Sequence, residues 1–118
     1  MPGIIILQGQ EAATNTDILQ GTRLQNAPAR GTMTFELAAS DNNATNRFTA
    51  TIQLPNGDTP LNAVQVPQGT GTAGVAGVLD DRLALIASFP VQQGGHVVFS
   101  CTETGDTELT WRVTFTPG

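Results

Sequence analysis

At 118 residues the chain fits a single domain large enough for a two-layer core. Its formal net charge is −5, all five cationic residues are Arg and Lys is absent, so the basic patches that mark nucleic-acid binding or docking on anionic lipid are missing. One cysteine, Cys101, excludes an internal disulfide and a zinc site built on paired cysteines, and no stretch approaches the ~20 apolar residues of a membrane span.

Aromatic residues are few, with five Phe, one Trp and no Tyr, which leaves the core mainly to Val, Leu, Ile and Ala. Plentiful Thr suits the outer faces of strands, and Gly and Asn suit tight turns.

The chain begins with Pro2-Gly3 and the run Ile4-Ile5-Ile6-Leu7. The run is too short for a signal-peptide core and predicts a strand covered on both faces. Gln8–Asp17 is polar with turn character, Ile18–Leu24 is a weak strand, and Gln25–Arg30, with Pro28, is a loop. Two readings of residues 1–30 stand side by side. One is a first strand plus its connection. The other is an apolar arm that reaches a neighbouring subunit and adds to its sheet. Residues 31–118 form the β-domain in either case.

The clearest pattern lies between Gly31 and Asp58. Met33, Phe35 and Leu37 alternate with Thr32, Thr34 and Glu36, and Phe48, Ala50, Ile52 and Leu54 alternate with Thr49, Thr51 and Gln53. Strict period-2 patterning on both sides of a polar tip, Ser40–Asn46, predicts a β-hairpin with one buried face. Leu61–Val66, bounded by Pro60 and Pro67, reads as a short edge strand. Gln68–Gly77 is a Gly- and Thr-rich loop, residues 74–82 are compatible with a short helix, and 83–89 predict a strand ending at Pro90. After the turn Gln92–Gly95 comes a strand over His96–Thr102, with Val97, Phe99 and Cys101 on one face. The acidic turn Glu103–Glu108 leads to a last strand, Leu109–Thr116, with Leu109, Trp111, Val113 and Phe115 inward. The expected fold is all-β, an antiparallel β-sandwich of about seven or eight strands, jelly-roll or immunoglobulin-like, with an irregular N-terminal segment.

Chemistry-bearing constellations are sparse. Gly69, Gly71 and Gly74 match the Gly-x-Gly-x-x-Gly dinucleotide pattern. That mechanism needs a parallel βαβ unit and an acidic residue about 20 positions on, where this chain has Phe89-Pro90-Val91. His96 and Cys101 point to opposite faces of one strand, which separates the single histidine from the single thiol; Cys101 reads as a small buried hydrophobe. Asp41, Asn43 and Thr45, and Glu103, Asp106 and Glu108, offer oxygens for calcium, but the bidentate Glu of an EF-hand frame falls on Ile52, and polar turn chemistry accounts for both loops. Adjacent Asp80 and Asp81 do not face one another across a cleft as glycosidase carboxylates must. No catalytic, cofactor-binding or metal-binding residue is assigned, and no cofactor is expected. The partner-contact candidates are Ile4, Ile5, Ile6 and Leu7 in the N-terminal run and Asp41, Asn42, Asn43 and Asn46 at the polar tip.

In size, β-rich patterning, weakly charged surface and absence of both an export signal and a catalytic set, the chain resembles the small auxiliary proteins that decorate or cement the capsids of tailed and related phages. The resemblance implies a non-enzymatic β-sandwich that binds major capsid protein or another virion protein, as a homo-oligomer. It also implies synthesis in the host cytoplasm followed by residence in the virion, without nucleic-acid or membrane partners. The alternative is an extracellular carbohydrate-binding or adhesion module. Sugar sites stack rings on exposed aromatics, and the one Trp sits in phase with core residues.

Overall fold

A computed structural model describes residues 3–69 and 85–118. Seven strands follow in order: β1 (Ile5–Glu11), β2 (Gly31–Ala39), β3 (Arg47–Gln53), β4 (Leu61–Gln65), β5 (Leu85–Val91), β6 (Val98–Thr104) and β7 (Leu109–Pro117). They form a four-stranded sheet, β1-β7-β2-β5, and a three-stranded sheet, β4-β3-β6, with every strand pair antiparallel. The β-sandwich expected from alternation is therefore present.

Its topology is that of a jelly roll. Asn15 exchanges backbone hydrogen bonds with Cys101 at 3.0 and 2.9 Å, and the Ile18 amide donates to the Phe99 carbonyl at 2.8 Å, so residues 15–18 lie along the outer edge of β6. Counting that segment as a rudimentary strand between β1 and β2, one sheet runs first, eighth, third, sixth and the other second, seventh, fourth, fifth. That interleaving is the double Greek key of a jelly roll; an immunoglobulin sandwich divides its strands differently.

The predicted hairpin is not formed. β2 pairs with β5 and β7, whereas β3 pairs with β4 and β6, so the Ser40–Asn46 tip carries the chain from one sheet to the other. Alternation shows that each strand has one buried face, and it is satisfied equally by neighbours within a sheet and by strands facing across the core. The tip itself is longer than the about two to five residues usual in a hairpin.

Other boundaries shift. Ile4–Leu7 is not covered on both faces: β1 is an edge strand, with Ile4 63% and Ile6 52% exposed and Ile5 and Leu7 half-buried. Gln8–Glu11, read as turn, continues that strand. Ile18–Leu24 is a series of turns, yet Ile18, Leu19 and Leu24 are buried in the core. β5 continues through Pro90 to Val91, tolerable because β5 is a sheet edge. Gly71, Gly74 and the 74–82 segment lie outside the described residues.

The core follows the alternating positions. Met33, Phe35 and Leu37 of β2, Phe48, Ala50 and Ile52 of β3, Phe99 and Cys101 of β6, and Leu109, Trp111, Val113 and Phe115 of β7 are all buried. Its centre is aromatic. Phe99 of the smaller sheet lies edge-on to Phe35 at 5.1 Å and to Trp111 at 6.1 Å, both in the larger sheet, and Phe35 stacks with Phe89 of β5 at 5.6 Å. Each such pair adds about 0.5–1.5 kcal/mol beyond burial. Phe99→Ala removes the wedge between the sheets and is expected to destabilise the fold by about 3–5 kcal/mol in urea unfolding, against about 1 kcal/mol or less for the exposed Thr116→Ala.

Candidate partner-contact surfaces

The two groups of contact candidates sit at opposite ends of the larger sheet. Ile5 pairs with Phe115 at one end, and Glu11 and Ala39 both pair with Leu109 at the other, where the tip departs. Six residues of strand separate them by about 20 Å. One ligand does not bridge them unless it lies along the sheet.

At the first end Ile6 stands on the outer face in line with Thr114 and Thr34, and Thr34 Oγ1 shares a 3.1 Å hydrogen bond with Ser88 Oγ. One row further on, Arg112 grips Glu36 through Nε at 3.0 Å and Nη2 at 2.6 Å. This face is threonine-lined, and Arg112 and Glu36 neutralise each other. On the inner side Gly9 lies against the Trp111 indole, where a Cβ would meet Cζ2 at 2.7 Å. Trp111 is 6% exposed and its Nε1 donates to Glu11 Oε2 at 3.4 Å, so its ring is not displayed for stacking. The need for glycine at position 9 was not visible in the sequence, because it depends on the β1–β7 register.

At the second end the tip docks on the 103–108 turn. Ser40 and Thr107 are both buried and share a 3.0 Å hydroxyl hydrogen bond; the Glu108 amide donates to Ser40 Oγ at 2.9 Å and the Asp41 amide to Thr107 Oγ1 at 3.1 Å. Asn43 Oδ1 accepts from the Thr45 amide, the Thr45 hydroxyl and the Asn46 amide at 2.9–3.0 Å, and Asn46 Oδ1 accepts from the Asp106 amide at 2.8 Å. Asn43 and Asn46 therefore shape the turn. Asn42 and Asn43 are exposed and Asp41 and Asn46 half-buried; Asn43 and Asn46 spend their side-chain oxygens on the turn, and among the described residues no such role falls to the side chains of Asp41 and Asn42. The side-chain oxygen of Asn43, a candidate for calcium, is thus occupied by protein donors.

Between the ends of the sheets lies a cleft of about 260 Å³, lined by Leu54, Pro55, Asn56, Pro90, Val91, Gln92, Gln93, Gly95 and Val97. The Asn56 amide is spent on Asp58, to which it donates at 3.0 Å and from whose backbone it accepts at 3.0 Å. Gln92 and Gln93 are exposed at the rim. Two turns distant in sequence build this cleft, so no local motif marks it.

His96 anchors the connection between β1 and β2. Nδ1 faces the Gln25 carbonyl and Nε2 lies 3.1 Å from Asp17 Oδ2. Both neighbours are oxygen acceptors, so both ring nitrogens donate only in the imidazolium form. The pKa of His96 is raised above 6.5, chiefly by the Gln25 carbonyl, with Asp17 adding and partial desolvation opposing. Neighbouring bonds close the same seam: the Ala27 amide donates to the Gly95 carbonyl at 2.9 Å and the Gly94 amide to the Ala27 carbonyl at 2.8 Å. Cys101 is buried on the other side of β6, and burial pushes its thiol up to about 11, with Glu11 and Glu103 adding and an Asn15 backbone hydrogen bond opposing. It is a packed thiol, not a nucleophile poised at neutral pH.

Two outcomes test this geometry. Gly105 has φ +76°, and a Cβ there would lie 2.0 Å from the Thr45 carbonyl oxygen and 2.2 Å from Asn46 Oδ1, whereas Gly57, at φ +93°, faces open space. Gly57→Ala is expected to cost about 1–2 kcal/mol from backbone strain alone, and Gly105→Ala distinctly more, with Asn43→Ala near about 1 kcal/mol and Asn42→Ala near zero, all read by urea unfolding. The His96 contribution is complete below pH 6.5 and is lost as pH rises through the raised folded-state pKa. Thermal unfolding between about pH 5 and about pH 8 should show this loss in the native chain, and His96→Gln or Asp17→Asn should reduce it.

No protein-family model matches the sequence, and no curated protein matches it. Among solved structures, a chain from the acidic stable capsid of Helicobacter pylori bacteriophage KHP30 aligns over 99% of this chain and 90% of its own, with 12% identity and a TM-score of 0.52. The CBM22-1 xylan-binding domain of Paenibacillus barcinonensis Xyn10C aligns over 98% of this chain and 87% of its own, with 12% identity and a TM-score of 0.32, too low to support an argument. The likeness to the capsid chain is one of fold, spanning nearly the whole molecule.

Proposed function

We propose that this chain is a structural, non-enzymatic protein of a phage virion, a decoration or cement protein that binds major capsid protein and stabilises the shell. The observation that carries the reading is the end-to-end fold likeness to a chain of a phage capsid. The side chains add support. The single histidine is committed to Gln25 and Asp17, and the single thiol is buried and held protonated. The outer faces are threonine-lined with few charges, suited to contact with protein over a broad area. In this role Asp41 and Asn42 at the tip, and Ile4 and Ile6 at the start of β1, meet neighbouring subunits, and the chain resides in the virion.

Co-sedimentation with shells of the encoding phage that lack the chain tests this. Saturable binding at a fixed stoichiometry, with a higher temperature of shell disruption, is the expected result. Asp41→Lys combined with Asn42→Lys should weaken binding while leaving the circular dichroism spectrum unchanged. A well-folded chain that fails to bind such shells would sink the proposal.

A second reading, an extracellular carbohydrate-binding or adhesion module, draws on the cleft between Pro55 and Pro90, whose rim presents Gln92 and Gln93. It asks for glycan binding that Gln92→Ala with Gln93→Ala abolishes. A blank glycan array removes it.

A further inference from the structure

We propose that two copies of this chain pair antiparallel along the free edges of β1, with Ile6 beside its counterpart, so that the four-stranded sheet continues across a twofold axis. The inference goes beyond the virion reading and does not depend on it.

A sandwich of two open sheets has four edges, and three of them are blunted. β5 carries Pro90, which cannot donate to a new ladder. β4 is bounded by Pro60 and Pro67, its pairing with β3 shifts register between Ala50 and Ile52, and Ala63 is forced to φ +50°. Such a bulge turns an edge away from further pairing. The outer edge of β6 is covered by residues 15–18 through the bonds of Asn15 and Ile18. Among the described residues, β1 alone has no such device. From Ile5 to Gln10 it has no proline, no charge and no bulge, it stays in register with β7 throughout, and among the described residues nothing pairs with its outer edge. Protected edges elsewhere and an uncharged, regular, unprotected one here are the pattern of an edge kept for pairing. The exposed large hydrophobic side chains, Ile4 at 63% and Ile6 at 52%, flank that same edge.

The sequence of the edge suits a second copy of itself. Residues opposite one another in an antiparallel ladder share a face. A twofold axis at Ile6 sets the two exposed Ile6 side chains together on the outer face, Ile5 opposite Leu7 of the second copy on the inner face, and Ile4 opposite its Gln8. The paired stretch is uncharged. The two Glu11 carboxylates end about 34 Å apart along the strands, whereas in-register parallel pairing would set Glu11 beside Glu11. The contact is isologous and closes on itself, so it gives a dimer and not a fibre.

The test uses the full chain in sedimentation velocity over a range of concentrations. A monomer–dimer equilibrium is expected, shifted to monomer by Ile6→Lys and unchanged by Thr116→Lys on the same face. Register is read by cross-linking under mild oxidation. Opposed Cβ atoms lie about 4.5–5.5 Å apart, so Ile6→Cys should form a covalent dimer readily and Gln10→Cys poorly; buried Cys101 does not interfere. A folded native chain that stays monomeric at every concentration overturns the proposal and leaves the edge to a strand from another protein. A dimer insensitive to Ile6→Lys, or equal cross-linking at positions 6 and 10, overturns it as well.

Discussion

The structure depends on Phe99 crossing the gap between the sheets. It projects from the start of β6 and meets Phe35 and Trp111 of the opposite sheet edge-on. With so few aromatics in the chain, this cluster supplies the largest side chains at the place where the two layers must be held apart and together. Around it, Leu, Ile, Val and Ala fill the remaining positions, and each fully buried large side chain contributes about 1.5–3 kcal/mol. Opposing layers, not a hairpin, are what the alternating strands serve.

That requirement explains the two ends of the molecule. To place β2 and β3 on opposite sides of the core, the chain must cross between sheets through the Ser40–Asn46 tip. A crossing loop cannot rely on a sheet ladder for its backbone hydrogen bonds, and here side chains take over: Asn43 and Asn46 satisfy the tip, Ser40 and Thr107 the buried join. The tip is consequently held by side-chain hydrogen bonds in its inner part and presents Asn42 to Thr45 to solvent. At the other flank, the connection from β1 to β2 folds over β6 and is held by His96, whose ring nitrogens face the Gln25 carbonyl and the Asp17 carboxylate. It buries Leu19 and Leu24 while forming no regular strand.

A sandwich organised in this way has edges to manage, and the chain manages them unequally. Proline, a bulge and a covering segment protect three, while among the described residues the outer edge of β1 carries no such device. The threonine-lined sheet that β1 borders carries the Arg112–Glu36 ion pair on its outer face. The fold, not the sequence, is what this chain shares with the phage capsid chain.

Much of this was legible in the sequence. Alternation at Met33–Leu37, Phe48–Ile52, Val97–Cys101 and Leu109–Phe115 identified the inward residues correctly, because side chains on a strand alternate strictly and burial selects one parity. The proline brackets of Leu61–Val66 marked an edge strand for an equally local reason. What alternation does not encode is which strand lies beside which. The apparent β2–β3 hairpin, the choice of jelly roll over immunoglobulin order, and the one-sided exposure of Ile4 and Ile6 all follow from strand order, which is decided by packing between distant residues. The same holds for Gly9 under Trp111, for Gly105 against Thr45, for the cleft built from two turns, and for the meeting of His96 with Asp17. Each is a contact between segments far apart in the chain, set by how the two sheets close over Phe99 and not by any pattern that the neighbouring residues carry.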